Sequence, residues 1–456
     1  MQRDSLDFKT LPIGKLFVKQ LFPTILGMMS TALLTVVDGI FVGRGLGSDA
    51  LAAVNIAAPI FMIVAGIGLM FGMGGGILVS INLSRGKFKV ANINVTQSTV
   101  ALFFVASIIA LLVILFPTQT AVLFGANDYL KEMAGEYMFW YAITLPITVL
   151  MIALPFFVRQ TNPKFAMWAM ITSTAINIVL DYVFIFVFKW GLFGAAIATD
   201  IGGLVSAFLL AGYLLNPKIA VRFAKLKMSA HSILLTLRNV WYMIKLGVST
   251  CLSEITIAVM AITGNYVFMH HLGADGVAAY SIICYLFPVI FMVFNAMIQS
   301  AQPIISYNYG CGQTERSTKV TRLALTCAFC FGLLITVLFS FFAETIITMF
   351  LPDKSSNAYQ YALSGLPLFA LDYVFFGINV IAIGYYSSVE RVKRAITLTV
   401  LRGIMPVVFF FILPELFGIS GMWLSVGVGD FVITLIIVIL FFIDKSRNGN
   451  FNKHNK

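Results

Sequence analysis

Charge is what this chain has least of. Asp, Glu, Lys and Arg together make up 11% of its 456 residues, where a soluble domain carries about 25%. There are too few polar side chains to cover a water-facing surface, so a string of soluble globular domains is excluded. Chemical signatures are missing too. No GxxxxGK[ST] phosphate loop, HExxH, GxSxG or Cys/His metal cluster occurs. Neither an ATP-driven pump nor an enzyme is expected, and no cofactor is expected. Cysteine is sparse, at five positions. The lone CxxC at Cys327 and Cys330 lies in an apolar run without a second ligand pair. A polar start, MQRDSLDFKTLPIGK, and a long first apolar run argue against a cleavable signal peptide.

What is present is hydrophobic sequence, 60% of the chain, with a mean hydropathy of +0.95. A bilayer crossing takes about 20 apolar residues. Twelve spans are predicted, at 15–43, 50–83, 92–116, 134–158, 165–188, 192–215, 240–269, 276–308, 320–343, 359–387, 395–414 and 419–443. Unbonded backbone is too costly in lipid, so the spans must be helices. The fold class expected is an all-α membrane protein. With the N-terminus inside, only Arg44, Lys131, Lys189 and Lys354 fall outside. Arg402 lies within a span, and the other 25 Lys and Arg, from Arg3 to Lys456, fall inside. This bias predicts cytoplasmic termini in the cell's inner (plasma) membrane. It also accounts for the net charge of +11 without nucleic acid.

The chain repeats itself. LGSDALAAVNIAAPI at 46–60 aligns with LGADGVAAYSIICYL at 272–286, an offset of 226. Gly86 falls on Gly312 at the same offset, and Gly191 and Gly194 fall on Gly418 and Gly421 at 227. Two six-helix bundles follow, 1–215 and 239–456, joined by a basic linker at 216–238. Six helices per half preserve orientation, so the bundles are expected to be related by pseudo-two-fold symmetry along the membrane normal.

Ionisable groups inside hydrocarbon cost about 2.5–3.5 kcal/mol or more, which marks them as candidate functional groups. Asp38 lies on span 1, Asn177 and Asp181 share a face of span 5, and Thr199 lies on span 6. Together they offer hard oxygen ligands for a proton or a small cation such as Na+. The alternative is a hydrogen-bonded lock between helices. Pro23, inside span 1, removes a backbone hydrogen bond and predicts a helix kink. In the second half Glu254, Asp372, Asn295, Gln299, Gln302 and Asn379 form a candidate substrate-binding set, with Tyr280, Phe287 or Phe291 to stack on an organic cation. Arg402 is expected to pair with Asp372 or Asp430. Asp200 and Asp430 are read as polar contacts between helices. Gly68, Gly72 and Gly76 predict close helix packing.

VVDGIFVGRGLGSDALAAV, NIVLDYVFIF, GAAIAT, LSEITIAV and the Asp372 region together resemble the MATE (multidrug and toxic compound extrusion) antiporters, over essentially the whole chain. AAVNIAAPIFMIVAGIGLMFGMGGG looks most like the MepA-like bacterial branch. The resemblance implies a monomeric secondary antiporter in membrane lipid, exporting lipophilic, mostly cationic drugs by alternating access. It implies a cation site at Asp38, Asn177, Asp181 and Thr199, or coupling by acids at Glu254 and Asp372. Both sets are present, so the coupling lobe and the choice of H+ or Na+ stay open. A lipid-linked oligosaccharide flippase of the same superfamily is the alternative. It would want a basic cavity, whereas the central ionisable groups here are mostly acidic.

Overall fold

The computed structural model describes residues 7–454, with side chains from 7 to 443 apart from Ser48. Arg3 and Lys456, and the side chains of Lys445, Arg447 and Lys453, were counted as inner charges and lie outside this description. Among the described residues every element is helical. The first half holds α1 (Ile13–Leu46), α2 (Ser48–Ser84), α3 (Phe88–Leu115), α4 (Lys131–Val158), α5 (Pro163–Tyr182) and α6 (Gly191–Leu215).

The second half shows four continuous apolar helices, which makes ten in the described chain that are long and apolar enough to cross a membrane. Two are too long for one crossing. Ala230–Gly310 has 81 residues, about 120 Å at 1.5 Å per residue, against a hydrocarbon core of about 30 Å. Its backbone leaves the helical region at Gly273 (φ 65°, ψ −153°). Val392–His454 does the same at Gly418 (φ 57°, ψ −137°). Each is therefore two helices joined at one glycine. This gives α7 (230–272), α8 (274–310), α9 (Thr314–Phe341), α10 (Asn357–Ser388), α11 (392–417) and α12 (419–443), and the count is twelve.

The backbone repeats where the sequence does. Gly47 and Gly273 have φ of 93° and 65°, Gly86 and Gly312 of 72° and 78°, and Gly191 and Gly418 of 65° and 57°. Left-handed backbone is cheap only for glycine, so equivalent turns kept equivalent residues. The fourth helix of each half is also interrupted alike. α4 breaks at Val149, three residues after Pro146, and α10 at Leu371, four after Pro367.

Side chains sort as they do in lipid. α3 turns small and polar groups inward, among them Ala91, Ser98, Ala106 and Ala110. It turns Phe104, Ile108, Leu111 and Leu115 outward, each more than half exposed. Large apolar groups outside and small ones inside is the membrane pattern, because lipid gives apolar side chains no reason to hide.

Packing divides the chain into two compact units. One holds the chain up to Glu254 with 299–320 and 387–390, and the other holds 255–298, 321–386 and the chain from Arg391. These do not coincide with 1–215 and 239–456, and backbone approaches inside the first unit show why. A Cβ on Gly74 of α2 would sit 2.0 Å from the Met243 carbonyl oxygen of α7, and one on Gly247 of α7 would sit 1.9 Å from that of Met70. Ser306 of α8 donates to the Ser388 carbonyl at 3.0 Å. The expected packing role of the α2 glycines is seen directly, with Gly72 against Phe156 and Ala153 of α4 and Gly68 against Ile152.

Candidate functional site

In the first unit α5 packs between α1 and α6. Small residues allow it: Gly27 of α1 lies on Met170, and Gly202 of α6 on Asn177 and the Ser173 carbonyl. Ser173 Oγ donates to the Gly202 carbonyl at 2.6 Å, fixing the register of α5 on α6. The four residues expected to hold a cation are brought together. Asn177 and Asp181 are fully buried on α5 and Asp38 is half-buried on α1. Asn177 Nδ2 donates to Thr199 Oγ1 at 3.4 Å, and Thr199 Oγ1 donates to the Ala195 carbonyl at 3.1 Å. The Asp38 and Asp181 carboxyls lie within hydrogen-bonding reach of each other. Such a contact needs a proton on one of them. Asp38 Oδ1, Asn177 Oδ1 and Asp181 Oδ2 are buried and find no donor. Leaving buried acceptors unmatched costs about 1–3 kcal/mol each, and a proton or small cation is the species that would satisfy them.

Pro23 is buried on α1, fifteen residues before Asp38, and the helix runs through it without interruption. Past Asp181 the α5 backbone widens into a π-helical turn, Val183–Val187. Such turns often accompany functional sites, and no sequence signal announced this one.

Sequence reasoning missed three neighbours on α4. Tyr137 lies within electrostatic reach of Asp38, Asp181 and Asp200, and Tyr141 within reach of Asp200. The Thr144 hydroxyl lies beside the Asp200 carboxyl. Their spacing of four and three puts them on one helical face, and that was the available clue. Asp200 is 1% exposed, and neither of its oxygens finds a donor.

The second-half set divides between the units: Asn295 and Gln299, one turn apart on α8, fall on either side of the unit boundary, Gln302 lies in the first unit, and Asp372 and Asn379 lie in the second. Gln299 Oε1 accepts from the buried Arg159 guanidinium at 2.6 Å, and Gln20 Nε2 donates to the Arg159 carbonyl at 2.9 Å. Gln302 Nε2 donates to Ser306 Oγ at 3.3 Å. These amides are committed to a structural network, because a buried guanidinium needs acceptors. Asn295 is buried, and Glu254 is half-buried at the end of the first unit's share of α7.

Asp372 sits at the restart of α10 with different partners. Its carboxyl lies within hydrogen-bonding reach of Asp430 on α12. Arg402 Nε of α11 stands 3.8 Å from Asp430 Oδ1, and its guanidinium lies over the Phe376 ring at 4.4 Å. Asn379 Nδ2 donates to the Asp430 carbonyl at 2.9 Å, and Asn379 Oδ1 accepts from Thr434 Oγ1 at 2.9 Å. The expected pairing of Arg402 is thus with Asp430. Two carboxyls and one guanidinium, each no more than 1% exposed, are neutral only when the carboxyls share one proton. Tyr280, Phe287 and Phe291 are buried against other rings rather than open to a ligand. Tyr280 stacks on Phe268 at 4.7 Å, and Phe287 meets Phe376 edge-on at 5.0 Å.

Comparison with known proteins identifies the family and the fold. The profile of the MatE family matches residues 23–183 and 251–412, one stretch in each half. The multidrug export protein MepA of Staphylococcus saprophyticus is 24% identical over 431 residues, covering 92% of both chains. MepA of Staphylococcus aureus (strain MRSA252) is 21% identical over 442 residues, covering 96% of both. Among solved structures, a MOP-superfamily transporter from Pyrococcus furiosus superposes with a TM-score of 0.88 at 21% identity, covering 96% of this chain and 97% of that one. These transporters have twelve helices in two bundles. The chain belongs to the MatE family of multi-pass membrane transporters.

Proposed function

We propose that the protein is a secondary antiporter that exports lipophilic, mostly cationic compounds in exchange for H+ or Na+. Its termini face the cytoplasm. The observation that carries the coupling is the set of buried, donorless oxygens at Asp38, Asn177 and Asp181. A cation entering there meets Asp38, Asn177, Asp181 and Thr199, and cancels the charge of two carboxyls that cannot both stay ionised at close range. Asp38 rides on α1, whose Pro23 lacks the amide hydrogen that would bond the Lys19 carbonyl. That weak point lets the segment carrying Asp38 bend when the cation arrives. Two acids serve the other half: Glu254 as the carboxylate for a cationic substrate, and Asp372 as a second acid released when Asp430 and Arg402 pair with each other. Cation entry down a membrane potential supplies about 2.3 kcal/mol per charge per 100 mV. The lipid-linked oligosaccharide reading is not favoured, because the buried acids Asp181, Asp200, Asp372 and Asp430 outnumber the buried arginines Arg159 and Arg402. Ethidium efflux from cells tests the coupling. Asp38→Asn and Asp181→Asn are each expected to lose most of the gradient-driven rate at unchanged expression, and wild-type rates in both would remove this site from the mechanism.

A further inference from the structure

A cavity of about 720 Å³ lies inside the first unit, where the start of α3, the segment after α6 and the first turns of α7 meet. Five cations line it, Lys89, Lys225, Lys227, Arg238 and Lys245, and no Asp or Glu does. None of the five forms an ion pair among the described residues. Behind the wall, the Glu390 carboxylate accepts from the hydroxyl of the lining residue Tyr242 at 2.8 Å.

The floor is a built structure. Asn239 Nδ2 donates to Asn94 Oδ1 at 2.7 Å and to Gln97 Oε1 at 2.5 Å, and Gln97 Nε2 donates to Thr236 Oγ1 at 2.9 Å. The segment after α6 is pinned to α3 by Ala224 N donating to Thr96 Oγ1 at 2.8 Å and Arg222 N to Asn92 Oδ1 at 3.1 Å. Folding therefore gathers five like charges around one hollow, a repulsive arrangement that a bound anion relieves. The same helix also exposes Leu234, Leu237 and Trp241, each more than half accessible. Trp at the end of a span is the usual marker of the membrane interface. A soluble anion would use the cations and leave these apolar groups unemployed.

We propose that the cavity binds the phosphate headgroup of an anionic membrane phospholipid, with its acyl chains lying along Leu234, Leu237 and Trp241. The cations hold the phosphate, and the amides of the floor hold the hydroxyls of the headgroup. The site is independent of the transport reading.

Native mass spectrometry of the purified full-length protein, titrated with phosphatidylglycerol or phosphatidylcholine, tests this. Each Lys or Arg near an anionic surface is worth about 1 kcal/mol, roughly fivefold in affinity. Wild type should retain phosphatidylglycerol in preference to phosphatidylcholine. Lys225→Gln/Lys227→Gln/Arg238→Gln should weaken retention about a hundredfold by the same figure, and Lys319→Gln/Arg322→Gln should leave it unchanged. Should the triple variant not fold, Arg238→Gln alone should show the fivefold loss. Equal retention of the two lipids, undiminished retention in the variants, or full displacement by millimolar inorganic phosphate would overturn the proposal.

Discussion

Removing Arg402 should cost the second unit more than removing its carboxylate partner. Arg402 Nε and Asp430 Oδ1 are 3.8 Å apart, with both side chains 1% exposed. At an effective dielectric of about 20 their attraction is about 4 kcal/mol. Breaking a buried pair by deleting one member typically costs about 3–5 kcal/mol, because the survivor stays charged and unpaired. Arg402→Met leaves two adjacent carboxyls and no cation, so it should reach that range. Asp430→Asn keeps the acceptor for Arg402, relieves the crowding at Asp372 and leaves one acid against one base, so it should cost less. The double variant leaves Asp372 alone and should recover at least about 2 kcal/mol relative to Arg402→Met. The assay is unfolding of the purified protein by titrated denaturing detergent, followed by tryptophan fluorescence, for the two singles and the double. The charge-balance reasoning fails if Arg402→Met costs under about 1 kcal/mol, or if the double variant is no more stable than Arg402→Met.

Three further outcomes follow from the geometry. Gly74→Ala and Gly247→Ala each drive a Cβ into a facing carbonyl, and should lower stability by about 1–3 kcal/mol as overpacking does; unchanged melting in both would show that α2 and α7 can separate freely. Gly273→Ala forces a left-handed alanine at φ 65° and should lose about 1–2 kcal/mol, whereas Gly39→Ala, which meets nothing within 4 Å, should be neutral in the same thermal assay. Gln299→Ala strips the Arg159 guanidinium of its 2.6 Å acceptor and should cost about 1.5–3 kcal/mol, with Gln299→Glu restoring stability; a pure loss of drug affinity at normal stability would return Gln299 to the substrate site.

Much of the fold was legible because membranes simplify the sequence code. Lipid demands helices, and helix length is fixed by bilayer thickness, so twelve apolar runs could be counted without knowing a single contact. The glycine pairs were legible for a local reason. A reversal at φ near 60° admits little else, so Gly47 and Gly273, or Gly191 and Gly418, mark the same turn in both halves. The cluster of Asp38, Asn177, Asp181 and Thr199 was anticipated because burying an acid in hydrocarbon is costly enough to need a reason. The committed partners were not legible. Whether Gln299 meets a substrate or Arg159, and whether Arg402 pairs with Asp372 or Asp430, depends on the rotation of helices distant in sequence, which periodicity leaves free. Tyr137 and Thr144 escaped for the same reason, and because a hydroxyl costs too little in a helix to stand out.

The central claim is that the donorless oxygens around Asp38 and Asp181 exchange a cation for substrate. It is met most directly by counting cations on the purified protein, as proton release in weakly buffered solution and as radioactive sodium displaced when ethidium is added. The account predicts that wild type gives up one of these ions on substrate addition and that Asp38→Asn and Asp181→Asn give up none. Release of the same ion in the same amount from both variants would contradict it.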